Sequence, residues 1–155
     1  MLQRKTYNSS DGPPANPTSE KACALKFQPE TLDGVNTITR HDADRIVVGS
    51  NPYPHSIVVP WVGAVCGWPV ATPDALEPGH LQVLLELKPD LVILGTGRRL
   101  RFPPASLLRP LIEQRIGFEC MDTSAACRTY NVLVTERRSV VAALILEADG
   151  AVGGR

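Results

Sequence analysis

Leu91-Val92-Ile93-Leu94-Gly95-Thr96-Gly97-Arg98-Arg99-Leu100-Arg101-Phe102-Pro103 is the stretch on which the fold turns. Its first four residues form a continuous apolar run stopped by a glycine, the pattern of a strand covered on both faces. Working upstream, Pro78 suits a first helical position, and Leu81, Leu84 and Leu85 follow at i, i+3, i+4, with Lys88-Pro89 ending the helix. Downstream, a second helix is expected over about Ser106 to Arg115, burying Leu107, Leu108, Leu111 and Ile112. Pro110 sits awkwardly in it, because proline lacks an N–H and crowds the preceding turn, so a kink or a late start is expected. Gly117 to Met121 reads as a strand, and Asp122 or Thr123 can cap a third helix by accepting from its free N–H groups. Ala126, Tyr130, Leu133 and Val134 share one face of that helix, and Arg137-Arg138 lie near its end, where positive charge complements the dipole. Val140 to Leu146 is the most apolar segment and reads as a central strand.

The N-terminal half has a different grammar. Val35 to Thr39, a polar turn at His41 to Asp44, and Arg45 to Val48 read as a β-hairpin. Asn51-Pro52-Tyr53-Pro54 reads as a further turn, and Ser56 to Val59 as a third short strand. No helix separates these strands, so antiparallel pairing is expected. Residues 61 to 68 are irregular, with Trp61 and Trp68 forming either an exposed patch or the lid of a core. The whole predicts an α/β domain with helices on both faces of a sheet, and an added antiparallel N-terminal β layer. Residues 1–20 read as a disordered, Pro-rich arm, residues 21–148 as the single domain, and residues 149–155 as a flexible tail.

Composition narrows the function classes. The chain has 155 residues, 43% of them apolar, enough for one packed domain without disulfide staples. Sixteen basic side chains balance sixteen acidic ones, so no overall field draws in nucleic acid. No apolar run approaches the roughly 20 residues needed to cross a bilayer, and no signal or transit sequence is evident, which gives a cytoplasmic expectation. The four cysteines Cys23, Cys66, Cys120 and Cys127 contain no C-x-x-C pair and read as reduced, buried small hydrophobes. The three histidines lack metal-ligand spacing, so no metal, cofactor or catalytic residue is expected.

The loop after Leu94 is the candidate ligand site. It leaves the carboxyl end of a buried strand, where open α/β sheets bind ligands. Gly95, Thr96 and Gly97 let backbone N–H groups approach a ligand, and Arg98 and Arg101 can fork onto phosphate or carboxylate. Arg101 is favoured, since Phe102-Pro103 could hold its stem in a cleft. The loop is no dinucleotide fingerprint, because Leu100 stands where a third glycine belongs. A second candidate is Cys127, a thiol whose pKa a helix N-terminus could lower.

Taken together, Gly95-Thr96-Gly97, Arg101-Phe102-Pro103, Met121-Asp122-Thr123, Thr129-Tyr130-Asn131 and Arg138 to Leu144 resemble a family of small domains of unknown function that includes the mitochondrial complex I assembly factor 3. The resemblance covers about residues 35 to 146. It implies a three-layer fold with a mixed, mostly parallel central sheet, the last strand lying inside it and antiparallel to its neighbours. It implies no catalytic residues, and a role as an assembly factor acting through contacts with another protein. Without a transit sequence, the chain resembles the bacterial members. The small-anion-binding domain, an enzyme or not, is the alternative that the loop itself suggests.

Overall fold

The computed structural model describes residues 34–148; the expected N-terminal arm, residues 21–33 of the expected domain and the whole expected tail (149–155) lie outside them. Among the described residues, eight strands form two sheets and three α-helices pack on them. The small sheet is antiparallel, in the order β1 (Ile38–His41), β2 (Ile46–Val48), β3 (Asn51–Tyr53). The large sheet holds β4 (Ile57–Pro60), β5 (Cys66–Gly67), β6 (Leu91–Gly95), β7 (Gly117–Met121) and β8 (Val140–Leu144), in the spatial order β5-β4-β8-β6-β7. Pairing is parallel for β6 with β7 and with β8, and antiparallel for β4 with β5 and with β8. The sheet is therefore mixed, with β4 running against the other four strands.

β8 is the centre of the molecule, as its apolarity predicts. Its five residues are all buried, and they alternate between two cores. Val140, Ala142 and Leu144 face one core, shared with α3 (Thr123–Thr135) and the small sheet, while Val141 and Ala143 face the other. That second core is closed by α1 (Gln82–Leu87), α2 (Ala105–Glu113) and the segment holding Trp68, Val70 and Leu76. Strand period two, with no polar residue on either face, places a strand between two covering layers.

Four expectations about the strands need correction. β8 is antiparallel to β4 but parallel to β6, so it is not antiparallel to both neighbours. Ile57 to Pro60 leaves the hairpin and joins the large sheet; all four residues are buried, and such a segment has no side to offer water. Its place in the small sheet goes to Asn51–Tyr53, read above as a turn, since an edge strand tolerates the missing N–H of Pro52. Cys66–Gly67, read as irregular, forms a two-residue edge strand on β4.

The helices follow their signals more closely. Pro78 opens a 3-10 turn over Pro78–Leu81 that runs directly into α1, and Glu77 and His80 cap it reciprocally. Lys88 then turns left-handed at φ 47° ahead of Pro89. α2 starts at Ala105, so the late start does not occur and Pro110 stands inside the helix. Only Leu111 is fully buried there, with Leu107 and Leu108 packed against the core. Ile112 is 63% exposed, because it falls beside the Leu107–Leu111 stripe rather than on it. Asp122, not Thr123, caps α3, its Oδ1 accepting from the Ala125 N–H at 2.9 Å. Ala126, Tyr130 and Val134 are buried as expected, with Leu133 packed at the margin. Trp68 is buried, its indole N–H donating to the His80 carbonyl, so it is part of a core lid. Cys120 and Cys127 are free thiols, whereas Cys66 is disulfide-bonded, so the reduced reading fails for Cys66.

Candidate functional site

The loop after β6 lies where three chain segments meet. Parallel pairing puts the carboxyl ends of β6, β7 and β8 side by side at Gly95, Met121 and Leu144. Gly95 is required there by packing, since a Cβ would stand 3.0 Å from Thr123 and 3.1 Å from Leu144. Its carbonyl accepts from the Ile145 N–H at 2.9 Å. Thr96 is buried; its N–H donates to the Met121 carbonyl (2.9 Å), and its hydroxyl donates to the Arg99 carbonyl (2.5 Å) while accepting from the Arg101 N–H (3.1 Å). Gly97 turns at φ 94°, a conformation that disfavours any side chain, and its N–H donates to the Thr123 hydroxyl at 2.8 Å. In return the Thr123 N–H donates to the Gly97 carbonyl (2.9 Å), and the Thr123 hydroxyl donates to the Ile145 carbonyl (2.7 Å). The Arg98 N–H donates to Glu147 Oε2 at 3.1 Å.

Loop donors that could cradle an anion are thus already committed. The N–H groups of Thr96, Gly97, Arg98 and Arg101 all have partners within the chain, and a carboxylate, Glu147, occupies the space over Gly97. A cleft of about 250 Å³ does open beside the loop, lined by His41, Arg98, Asp122, Ser124 and Glu147 among others. Two carboxylates, Asp122 and Glu147, stand in that lining against an anion, opposite the single arginine Arg98. Ser124 in that cleft already accepts a hydrogen bond from the Arg128 guanidinium at 2.9 Å. Desolvation lowers the pKa of His41, with Asp42 and Asp122 opposing that shift. This arrangement does not support the anion-binding alternative.

Arg101 points away from that cleft. Its guanidinium pairs with Asp74 at 3.0 Å, with both side chains substantially exposed. The pair sits at the rim of a smaller groove, about 160 Å³, lined by Leu76, Leu94, Phe102 and Leu107 among others. Phe102, 76% exposed, and Leu100, 50% exposed, stand out from the surface nearby. Cys127, the other candidate, is buried in the α3 core, and burial pushes its thiol up to about 12.

The residues that sequence reasoning undervalued are Tyr130 and Asn131. The buried Tyr130 hydroxyl lies 3.0 Å from the Asn36 carbonyl and 3.1 Å from the Pro60 carbonyl. Asn131 grips β1 at both groups of Ile38, accepting from its N–H at 2.9 Å and donating to its carbonyl at 2.7 Å. Asn36 in turn donates to the carbonyls of Pro60 and Gly63. Together they tie α3, the small sheet and the end of β4. The available signal was an adjacent Tyr-Asn pair on an otherwise apolar helical face, which requires partners once buried.

Known proteins with similar sequences and folds fit this architecture. Over 72 residues the chain is 30% identical to the "13 kDa major membrane protein" of Francisella tularensis, covering 46% of this chain and 58% of that protein. Over 84 residues it is 37% identical to the NADH dehydrogenase [ubiquinone] 1 alpha subcomplex assembly factor 3 of Danio rerio, covering 53% of this chain and 48% of that one. The chain thus spans about half the length of these curated relatives. A solution structure from Bordetella pertussis, described as a Mth938-like domain, superposes with a TM-score of 0.70 at 30% identity, covering 81% of this chain and 94% of that one. No helix among the described residues is long and apolar enough to cross a membrane. Residues 38–145, the span from β1 to just past β8, match the family described as "Protein of unknown function (DUF498/DUF598)", and the chain belongs to that family.

Proposed function

We propose that this chain is a non-enzymatic protein-interaction factor that acts in the assembly of respiratory NADH dehydrogenase. The observation that carries the reading is the similarity to proteins named as assembly factors of that complex, which spans about half of this chain. The geometry is in keeping with it. The Gly95-Thr96-Gly97 motif joins β6, α3 and β8 to one another rather than presenting donors to a ligand. The most exposed large apolar side chain among the described residues, Phe102, stands beside a shallow groove, a surface that a protein partner would cover. A bacterial, cytoplasmic setting goes with this reading. Deleting the gene in the organism that encodes it should reduce assembled NADH dehydrogenase on native gels, with partial complexes accumulating, and a plasmid copy should restore it. Normal amounts of the complex in the deletion strain would overturn the proposal.

A further inference from the structure

Among the described residues the two sheets have four edges, and three of them are closed to pairing. At the β1 edge, both backbone groups of Ile38 are held by Asn131, and the register slips between Ile38 and Arg40. The β3 edge contains Pro52, and β5 is only two residues long. Short strands, proline and irregular register are the devices by which folded chains keep an edge from pairing with another chain. β7 has none of these. It is five residues long, without proline or lysine, and its register with β6 runs unbroken from Leu91↔Gly117 to Gly95↔Met121.

Hydrogen bonding fixes which groups face outward. The Gly117 N–H donates to the Asp90 carbonyl and the Met121 carbonyl accepts from the Thr96 N–H, both at 2.9 Å. Gly117, Glu119 and Met121 therefore direct their backbone groups to β6, and Phe118 and Cys120 direct theirs to the open side. These outward groups meet no partner among the described residues. Between them Glu119 is exposed and has no ion pair among the described residues.

We infer that the open edge of β7 takes up an extended segment of a partner protein, with a basic residue opposite Glu119. This deepens the protein-interaction reading and rests on it. Backbone pairing would supply general affinity, and the Glu119 carboxylate the selection. The same carboxylate argues against a second copy of this chain as occupant. An antiparallel two-fold that uses both outward residues of both strands sets Phe118 opposite Cys120 and brings Glu119 against Glu119, and like charges directly opposed are unfavourable.

The test uses the full-length protein and two synthetic peptides, Thr-Val-Lys-Val-Thr and Thr-Val-Glu-Val-Thr, both capped. Addition of the lysine peptide should slow hydrogen exchange at the Phe118 and Cys120 amides by about tenfold or more, as expected when exposed donors become paired. It should bind about threefold tighter than the glutamate peptide, a preference that Glu119→Lys reverses. Cys120→Pro, which removes an outward donor but no bond to β6, should abolish peptide binding while the Val92 to Leu94 amides stay protected. Should that variant fail to fold, the reversal by Glu119→Lys decides alone. Unchanged exchange at both amides, or equal binding of the two peptides, would overturn the inference. Protection of these amides without peptide in a dimer seen by sedimentation would overturn it in favour of self-pairing. A silent edge alongside defective complex assembly in the deletion strain would leave the proposed function standing and remove only this contact.

Discussion

Asn131 shows how one polar side chain fixes the relation between two layers. Its amide reproduces a strand partner for Ile38, so the edge of β1 is satisfied by helix α3 instead of by water or another strand. Asn131→Ala leaves both backbone groups of Ile38 unpaired, and should lower stability by roughly 1–3 kcal/mol in urea titrations. Asn131→Asp, which keeps the acceptor and loses the donor, should fall between. Val132→Ala at the neighbouring exposed position should change stability by less than about 0.5 kcal/mol. An equal loss at both positions would show that helix propensity, and not the grip on β1, is being measured. Position 131 was visible in the sequence only as part of a motif, because its partner lies 93 residues away. Gly97 was more legible, since a glycine after a buried strand signals a special turn, yet its carboxylate neighbour Glu147 comes from beyond β8.

At the scale of elements, α2 is where local preference and tertiary demand disagree most. Pro110 stands in its second turn and cannot donate to the Ser106 carbonyl, yet the helix runs unbroken from Ala105 to Glu113. Leu111, buried one residue further on, anchors the helix to the sheet and overrides the local penalty. Pro110→Ala should therefore stabilise the protein by about 1–3 kcal/mol, approaching the propensity difference between the two residues. Thermal melts with the Leu111 packing unaltered would show it, and a fall in Tm would mean that the proline ring packs better than any replacement. The strands divide similarly. β6 and β8 were readable as buried because they are apolar on both faces, whereas β3 and β5 were not, being short, polar or glycine-containing segments that are strands only because a neighbour pairs with them.

For the molecule as a whole, packing of the small sheet against α3 and the large sheet leaves its mark on titration. His41 ends β1 at the cleft beside the α3 N-terminus, and loss of solvent there lowers its pKa from 6.5. The carboxylates of Asp42 and Asp122 pull the value up, and Arg128 adds to the lowering. Because the unfolded chain takes up this proton first, stability should fall as pH drops through the unfolded value near 6.5, and level off below the folded one. His41→Gln should flatten that part of the pH profile of urea midpoints. An unchanged slope would assign it to another group.

The alternation of apolar runs with amphipathic stretches from Pro78 to Leu146 determined by itself that this chain forms a helix-covered sheet with Val140 to Leu144 at its centre. Those signals are local: an apolar strand needs two covering faces, and an amphipathic helix needs one, whatever the neighbours are. Tertiary structure alone decided that Ile57 to Pro60 crosses into the large sheet and runs antiparallel to β8, because its partner strand comes from the far end of the chain and no local signal links the two. It also decided that the arginine loop commits its backbone donors to Thr123 and Glu147. Glycines and arginines after a strand are equally suited to holding a ligand and to holding the chain together. Only the partners brought from distant sequence determine which of the two they do.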